Sequence, residues 1–372
     1  MGDVFRIGID GRPLEGERRG VGVCVFELSR ALATSFPNAE FFVYSRTEVD
    51  PPVVAPNWHY RVEPARWASR LRPIVWLKTR LGRMSRRDHL NVFWASGSLL
   101  PLGCNVPTVL SVYDLNHLLV PETMAFLHRL AHGVFFKRDV LNAGRIVTCS
   151  QGTSDRILTH FGRGANAPVL PALADPFEPS TETEVHSTCA VLGLTPPYLL
   201  SVATWEPRKN LEALIRAFLS LKQKGLIPDH KLALVGGEGW KDEKLRQLVS
   251  GAKASDLVPL GFIERKHLPP LYTGTDLFVF PSIYEGFGIP VLEARACGAP
   301  VLTSNLPETR EAGGTDAHYI DLPPDEEAIA DGIITALKNQ RRTTLADDER
   351  PTWTKSGLVL ADQMREAAEA RK

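Results

Sequence analysis

The stretch Leu277–Ser304, LFVFPSIYEGFGIPVLEARACGAPVLTS, decides how the rest of the chain is read. Leu277–Phe280 is a short apolar run bounded by Asp276 and Pro281, the pattern of a strand buried on both faces. A glycine-broken loop follows, and a helix is expected from about Ile289, where Pro290 suits the first turn. Gly298-Ala299-Pro300 stops that helix, and Val301–Thr303 reads as a second apolar strand. In a parallel sheet, such a strand–loop–helix–strand unit places its loop at the carboxyl end of the strand, where ligands bind. Glu285, Gly286 and Gly288 lie on the loop, and Glu293 is expected in the first helical turn.

A helix N-terminus attracts anions. A diphosphate fits the amides of Gly286–Gly288 only if the two acids are turned to other partners. An ionised carboxylate only accepts hydrogen bonds, and a sugar diol offers two donors. A ligand with a diphosphate, a ribose diol and a hexose satisfies all three demands. The plainer alternative is a helix-start acid that favours the dipole and a loop acid in water.

The rest of the C-terminal half repeats the unit. Strands are expected at Tyr198–Ala203, Lys231–Val235, Leu257–Leu260 and His318–Ile320, with helices at Leu211–Lys224, Asp242–Ser250 and Ile289–Cys297. In the N-terminal half, Phe5–Asp10, Glu40–Tyr44, Val92–Ala95, Thr108–Val112 and Arg145–Cys149 read as strands, and Val23–Ser35 and about Glu122–Leu141 as helices. Ser150 and Ser154 are expected caps of a further helix. The alternation indicates an α/β protein of two doubly wound, Rossmann-like parallel sheets, with the ligand cleft expected between them. The charged, Pro- and Thr-rich segment Pro176–Ser187 reads as a linker between domains at 1–176 and 188–350. A length of 372 residues suits two such cores.

Composition removes several function classes. Hydrophobic residues make up 44% and charged residues 23%, and the formal net charge is zero, so nothing global suggests a nucleic-acid partner. Five scattered cysteines without a CxxC pair argue against a disulfide framework and for a reducing compartment. The opening MGDVFRIGID lacks a signal-peptide layout, and no apolar run reaches the roughly 18–20 residues that span a bilayer. The expectation is a cytosolic protein. Residues 51–90 carry Arg61, Arg66, Arg70, Arg72, Lys78, Arg80, Arg83, Arg86 and Arg87, interleaved with Trp58, Trp67 and Trp76. This basic 61–87 region suits peripheral contact with an anionic membrane. An ordinary solvated face with its tryptophans turned inward is the competing reading.

Three loops of the C-terminal half supply further candidates. In Trp205–Asn210, Arg208 and Lys209 precede a helix N-terminus, with Asn210 as its expected cap. Two cations there oppose the dipole by a few tenths of a kcal/mol each, which makes sense if a phosphate is bound. Gly236–Trp240 is permissive backbone after a strand, and in Gly261-Phe262-Ile263 amides and a flat apolar side suit a nucleobase. A core phenylalanine is the simpler account of Phe262. In the N-terminal half, Gly20-Val21-Gly22 lacks the third glycine of a dinucleotide fingerprint and lies about ten residues past its strand, so NAD is disfavoured. It reads instead as a flexible loop that lets backbone approach a ligand. His117 follows the Thr108–Val112 strand, where a substrate contact and a structural role are both open.

The ordered set VATWEPRKNLEALIRAF, LVGGEGW, VPLGFI and LYTGTDLFVFPSIYEGFGIPVLEARACGAPVLTSN is similar to retaining glycosyltransferases of family four, which have the GT-B fold. It looks closest to their bacterial mannosyltransferase-like branch, over about residues 196–310, with DGRPLEGERRGVGVCVFEL and VYDLNHLLVPE as weaker matches. The resemblance implies that Glu285 holds donor-sugar hydroxyls, that Glu293 holds the ribose, and that Gly286, Phe287 and Gly288 give amides to sugar and diphosphate. It makes Lys209 the phosphate clamp, Gly20 and Gly22 a loop near the phosphates, and Gly261 to Ile263 the base-binding segment, with Gly236 beside it. Ala203 stands where the family often has arginine, with Arg208 the candidate substitute. Tyr113 stands where many relatives have histidine, with His117 the candidate to do that histidine's work. The implied reaction is transfer of a hexose, mannose from GDP-mannose being favoured over a UDP-sugar donor, to a glycan or lipid-linked acceptor. No metal or other cofactor is expected, and the segment Trp353–Ala370 is expected as a helix returning to the first domain. A catalytically idle binding protein of the same fold is the rival reading.

Overall fold

The computed structural model of the chain describes residues 4–17, 20–124, 126–173, 177–237, 243–253, 256–340, 342–346 and 349–370. The chain divides into two compact units, residues 1–172 with 351–372, and residues 173–350. Each unit is built on one wholly parallel sheet.

In the first unit the strands are β1 (Arg6–Asp10), β2 (Glu40–Ser45), β3 (Trp58–Val62), β4 (Val92–Ala95), β5 (Thr108–Val112), β6 (Arg145–Thr148) and β7 (Ala167–Pro168). Their order is β3-β2-β1-β4-β5-β6-β7. The sequence reading missed β3 because its residues WHYRV do not form an apolar run: only Trp58 of the strand is buried, as befits an edge. Helix Val21–Ser35 packs Val25, Leu28 and Leu32 onto Ile7, Ile9 and Val43. Helix Trp353–Glu369 adds Leu360, Ala361 and Met364 to the same core. Its Gly357 lies so close to the first helix that an added Cβ would stand 2.4 Å from the Ala31 Cβ.

In the second unit the strands are β8 (Tyr198–Val202), β9 (Lys231–Val235), β10 (Leu257–Gly261), β11 (Leu277–Phe280), β12 (Val301–Ser304) and β13 (His318–Ile320). Their order is β10-β9-β8-β11-β12-β13. Leu199, Leu200, Phe278 and Val279 are fully buried because helices cover both faces of the sheet. The helices Leu211–Gln223 and Glu326–Lys338 pack together.

Several expectations are corrected here. Residues 182–191 of the second unit form a helix rather than the end of a linker, started by a capping box in which Thr181 and Glu184 exchange hydrogen bonds. The first long helix begins at Val21, so Gly22 is helical and buried rather than part of a loop. Ser150 caps its helix by accepting from the Thr153 amide, whereas Ser154 sits inside the first turns. Asn210 occupies the N-cap position in a left-handed conformation, but its side chain donates to the Pro324 carbonyl at 2.7 Å and does not cap. Segments 51–57 and 63–91 are loops and short turns apart from one continuous helical run over 73–88; Arg80 pairs with Glu63, Arg61 of β3 with Asp88, and buried Lys78 with Asp139.

Candidate functional site

Strand order in the second sheet reverses between β8 and β11, which are neighbours with Leu199 opposite Leu277. The connections leaving their carboxyl ends therefore run to opposite faces and open a crevice between them. The loop after β8 carries Arg208 and Lys209, and the loop after β11 carries Glu285. The Ile283 amide donates to the Arg208 carbonyl at 2.8 Å, locking the two loops together.

Within the crevice Lys209 Nζ lies 2.5 Å from Glu285 Oε1, and Arg208 Nη1 lies 3.0 Å from Glu285 Oε2. Arg208 Nε also donates to Glu206 Oε2 at 3.0 Å. Lys209 and Glu285 are both buried, and the Lys209 ammonium stands 4.7 Å above the ring of Phe280. Burial alone would raise the Glu285 carboxyl, but the charges of Lys209 and Arg208 outweigh it and bring it down to about 2. Burial pulls Lys209 below the usual lysine range, against the pull of Glu285.

Glu293 is in a different situation. Gly288, at φ 102°, is the N-cap of the helix Ile289–Ala296, which places Glu293 beyond the first turn and not within it as expected. Its carboxylate accepts from the Tyr272 hydroxyl at 3.1 Å and has Arg265 at 3.8 Å, rather than facing the helix-start amides. Burial raises this carboxyl to about 7, with Arg265 and Tyr272 opposing. Two glutamates eight positions apart in one unit thus have opposite proton affinities.

The other candidates fall as follows. Gly286 is half-buried, and Phe287 is buried. Gly236, at φ 130°, is required by the fold itself, since a Cβ there would stand 2.0 Å from the Ala203 carbonyl oxygen. The Gly236 amide in turn donates to the Gly261 carbonyl, tying β9 to β10. Glu238, Gly239 and Trp240 lie outside the described residues. Phe262 is 70% exposed, so the core reading is wrong; Ile263 beside it is half-buried.

Gly20, Gly22 and His117 belong to the first unit. Gly20 is exposed at φ 46° with open space around it. His117 is buried in the turn Asn116–Leu119, its ring 4.4 Å from that of Phe136, and burial lowers it to about 4. That is a neutral packing histidine at physiological pH. Tyr113, with Cys24, Ser111, Cys149 and Trp353, lines a small cavity of the first unit, and burial raises its phenol.

Sequence reasoning missed Glu206, Arg265 and Tyr272, whose roles come only from contacts across loops. It also missed Asp10 and Arg12 in the first unit. They form a buried pair at 2.6 Å at the carboxyl end of β1, where that sheet reverses order, and a Cβ on Gly97 would stand 2.8 Å from Arg12. Only the position of Asp10 at the end of an apolar strand hinted at this.

Comparison with known proteins bears on the same region. Residues 190–352 match the family described as glycosyl transferases group 1. O-antigen chain mannosyltransferase B of Escherichia coli is 38% identical over 167 residues, covering 45% of this chain and 42% of the relative. The chain therefore spans less than half of that relative's length. A GDP-mannose-dependent alpha-(1-6)-phosphatidylinositol monomannoside mannosyltransferase of Mycolicibacterium smegmatis is 28% identical over 255 residues, covering 63% of this chain and 66% of the relative. Among solved structures, sucrose-phosphate synthase from Thermosynechococcus elongatus superposes with a TM-score of 0.68 at 18% identity, over 99% of this chain and 97% of that one. The last likeness bears on fold alone, and the fold is GT-B.

Proposed function

We propose that this chain, whose residues 190–352 match the glycosyl transferases group 1 family, is a retaining, metal-independent glycosyltransferase. It moves a hexose from a nucleotide-sugar to a glycan or lipid-linked acceptor in surface polysaccharide synthesis. Mannose from GDP-mannose is the favoured donor, in keeping with the mannosyltransferase names of its relatives. The observation that carries this reading is the meeting of Glu285 with Lys209 and Arg208 at the reversal of strand order in the second unit.

Lys209 and Arg208 neutralise the leaving diphosphate, with the amides of Gly286 to Gly288 beside them, in the role a metal ion plays elsewhere. Glu285 accepts hydrogen bonds from sugar hydroxyls, and Glu293 from the ribose. As the diphosphate departs, the anomeric carbon gains oxocarbenium character, and the acceptor hydroxyl attacks the same face. A departing phosphate oxygen takes its proton. Arg208, held onto Glu285, stands in for the arginine absent at Ala203. In this reading neither His117, packed against Phe136, nor Tyr113 is given the family histidine's task.

The test is a thermal-shift panel with GDP-mannose, UDP-glucose, UDP-GlcNAc, UDP-galactose and NAD. The right donor at 100 times its dissociation constant adds about 2.7 kcal/mol of stability. Stabilisation by NAD alone, or by nothing in the panel, rejects the reading. Donor binding without turnover on a lipid-linked acceptor supports the idle alternative.

We further propose peripheral contact with anionic membrane through residues 61–87. Trp67 is 64% exposed and Val75 is 44% exposed, and Arg66, Arg70, Arg72, Arg83 and Arg87 are exposed around them. Trp58 and Trp76 are core residues, so the inward-turned alternative holds for two tryptophans of the three. Among the described residues no helix is long and apolar enough to cross a membrane. The chain is expected to float with phosphatidylglycerol-containing vesicles and not with neutral ones, and Trp67→Ala to weaken that several-fold. Equal flotation with both vesicle types speaks against this contact.

A further inference from the structure

The cations of the crevice are already answered by acids of the same unit. Glu206, Arg208, Glu285 and Lys209 alternate in sign along one chain of contacts, and their formal charges cancel. Both oxygens of Glu285 are engaged, one by each cation. Among the described residues Glu285 is the carboxylate paired with Lys209. A diphosphate that approaches this cluster meets a neutral group, and its attraction to the cations is offset by a buried carboxylate within 3.0 Å of both.

We propose that Glu285 is the internal counter-anion of Lys209 and Arg208, and that a ligand diphosphate takes its place while the carboxylate moves to the hydroxyls of the ligand's sugar. This rests on the nucleotide-sugar reading above. Three observations support the exchange. Lys209 is buried, and a buried ammonium is strongly destabilising without an anion, so one anion must replace another rather than leave a gap. Arg208 has a second anchor on Glu206, which keeps the guanidinium in place when Glu285 lets go. Glu285 is followed within three residues by Gly286 and by Gly288 in the left-handed region, backbone that allows the loop to re-aim its carboxylate.

The exchange has a consequence for ligand choice. A nucleoside diphosphate without its sugar displaces Glu285 and gives it no new partner. The intact donor displaces it and supplies hydroxyls. The carboxylate therefore selects the complete nucleotide-sugar over the spent nucleotide, which favours product release.

Calorimetric titration of the whole chain with GDP, UDP, GDP-mannose and UDP-glucose tests this in wild type, Glu285→Gln and Glu206→Gln. Glu285→Gln is expected to bind the preferred nucleoside diphosphate about 10-fold more tightly than wild type, about 1.4 kcal/mol. It is expected to gain less for the intact donor, so that the wild-type preference narrows or reverses. Glu206→Gln removes one negative charge from the cluster without unpairing Lys209, so an equal few-fold gain for nucleoside diphosphate and intact donor is expected as the control for general repulsion. If Glu285→Gln does not fold, Glu285→Asp, whose shorter side chain loosens the contact with both cations, is expected to show the same selective gain for the nucleoside diphosphate. A wild-type chain that binds none of the four ligands overturns the nucleotide-sugar reading, and the exchange with it. Wild-type binding with no gain in the folded Glu285 variant overturns the exchange alone. Equal gains for nucleoside diphosphate and intact donor in Glu285→Gln also overturn it, because they reduce Glu285 to a general repulsive charge.

Discussion

A Lys209→Met variant is expected to transfer sugar about 100- to 1,000-fold more slowly than wild type, the usual cost of deleting one preorganised group that stabilises developing charge. Methionine keeps an apolar stem of similar length and removes the ammonium that stands over Phe280. The structure adds a folding cost, because Lys209 and Glu285 are both buried and paired. Deleting one partner of a buried ion pair typically costs about 3–5 kcal/mol. Arg208, which remains 3.0 Å from the other Glu285 oxygen, reduces that figure. Turnover must therefore be measured well below the melting temperature of the variant, with thermal denaturation run in parallel. A folded Lys209→Met enzyme with turnover within a few-fold of wild type would show that the ammonium is not where the leaving charge develops.

The second large effect concerns Glu293 and pH. Its carboxyl lies near 4.5 when exposed and is raised to about 7 in the folded chain, first by burial, with Arg265 and Tyr272 acting in the opposite direction. Between those values the unfolded chain loses a proton that the folded chain keeps, so native stability falls as pH rises from about 4.5 to about 7 and then levels off. The size of this contribution is about 3 kcal/mol. Glu285 has the opposite sign: held down to about 2, it contributes stability that is lost only as pH falls from about 4.5 toward that value. A Glu293→Gln variant cancels the first slope. Its stability relative to wild type is expected to rise between about pH 5 and about pH 7 and then level off in denaturant titrations. A flat difference across that range would mean that Glu293 is ionised throughout. Because hydroxyl donors favour the charged form, donor affinity is expected to climb as pH rises through about 7 in wild type and not in the variant.

Much of this architecture is readable from the chain because parallel strands are short apolar runs buried on both faces. Lys231–Val235, Leu277–Phe280 and His318–Ile320 have the bounds that their residues suggest. β3 escaped because an edge strand with exposed residues has no such signature. The helix Glu182–Val191 escaped for a related reason: its charged, threonine-rich start resembles a linker until Thr181 and Glu184 are seen to cap each other. At the site, Glu285, Lys209 and Arg208 were legible because charge beside a glycine turn or ahead of a helix start is costly without a ligand. Their mutual contact was not, since positions 208 and 285 meet only through the pairing of β8 with β11. Tyr272 and Arg265 had no local signal at all, and the burial of His117 against Phe136 follows from a helix that lies further along the chain.

The return of the Trp353–Glu369 helix to the first unit bears on how the chain matures as it is made. Leu360, Ala361 and Met364 close a core whose other members, from Ile7 to Val169, are synthesised long before them. During translation the first unit waits with an uncovered apolar groove, while the second, contiguous from 173 to 350, has all its strands and can condense ahead of it. The core of the first unit is therefore completed only after every strand of the second has been made.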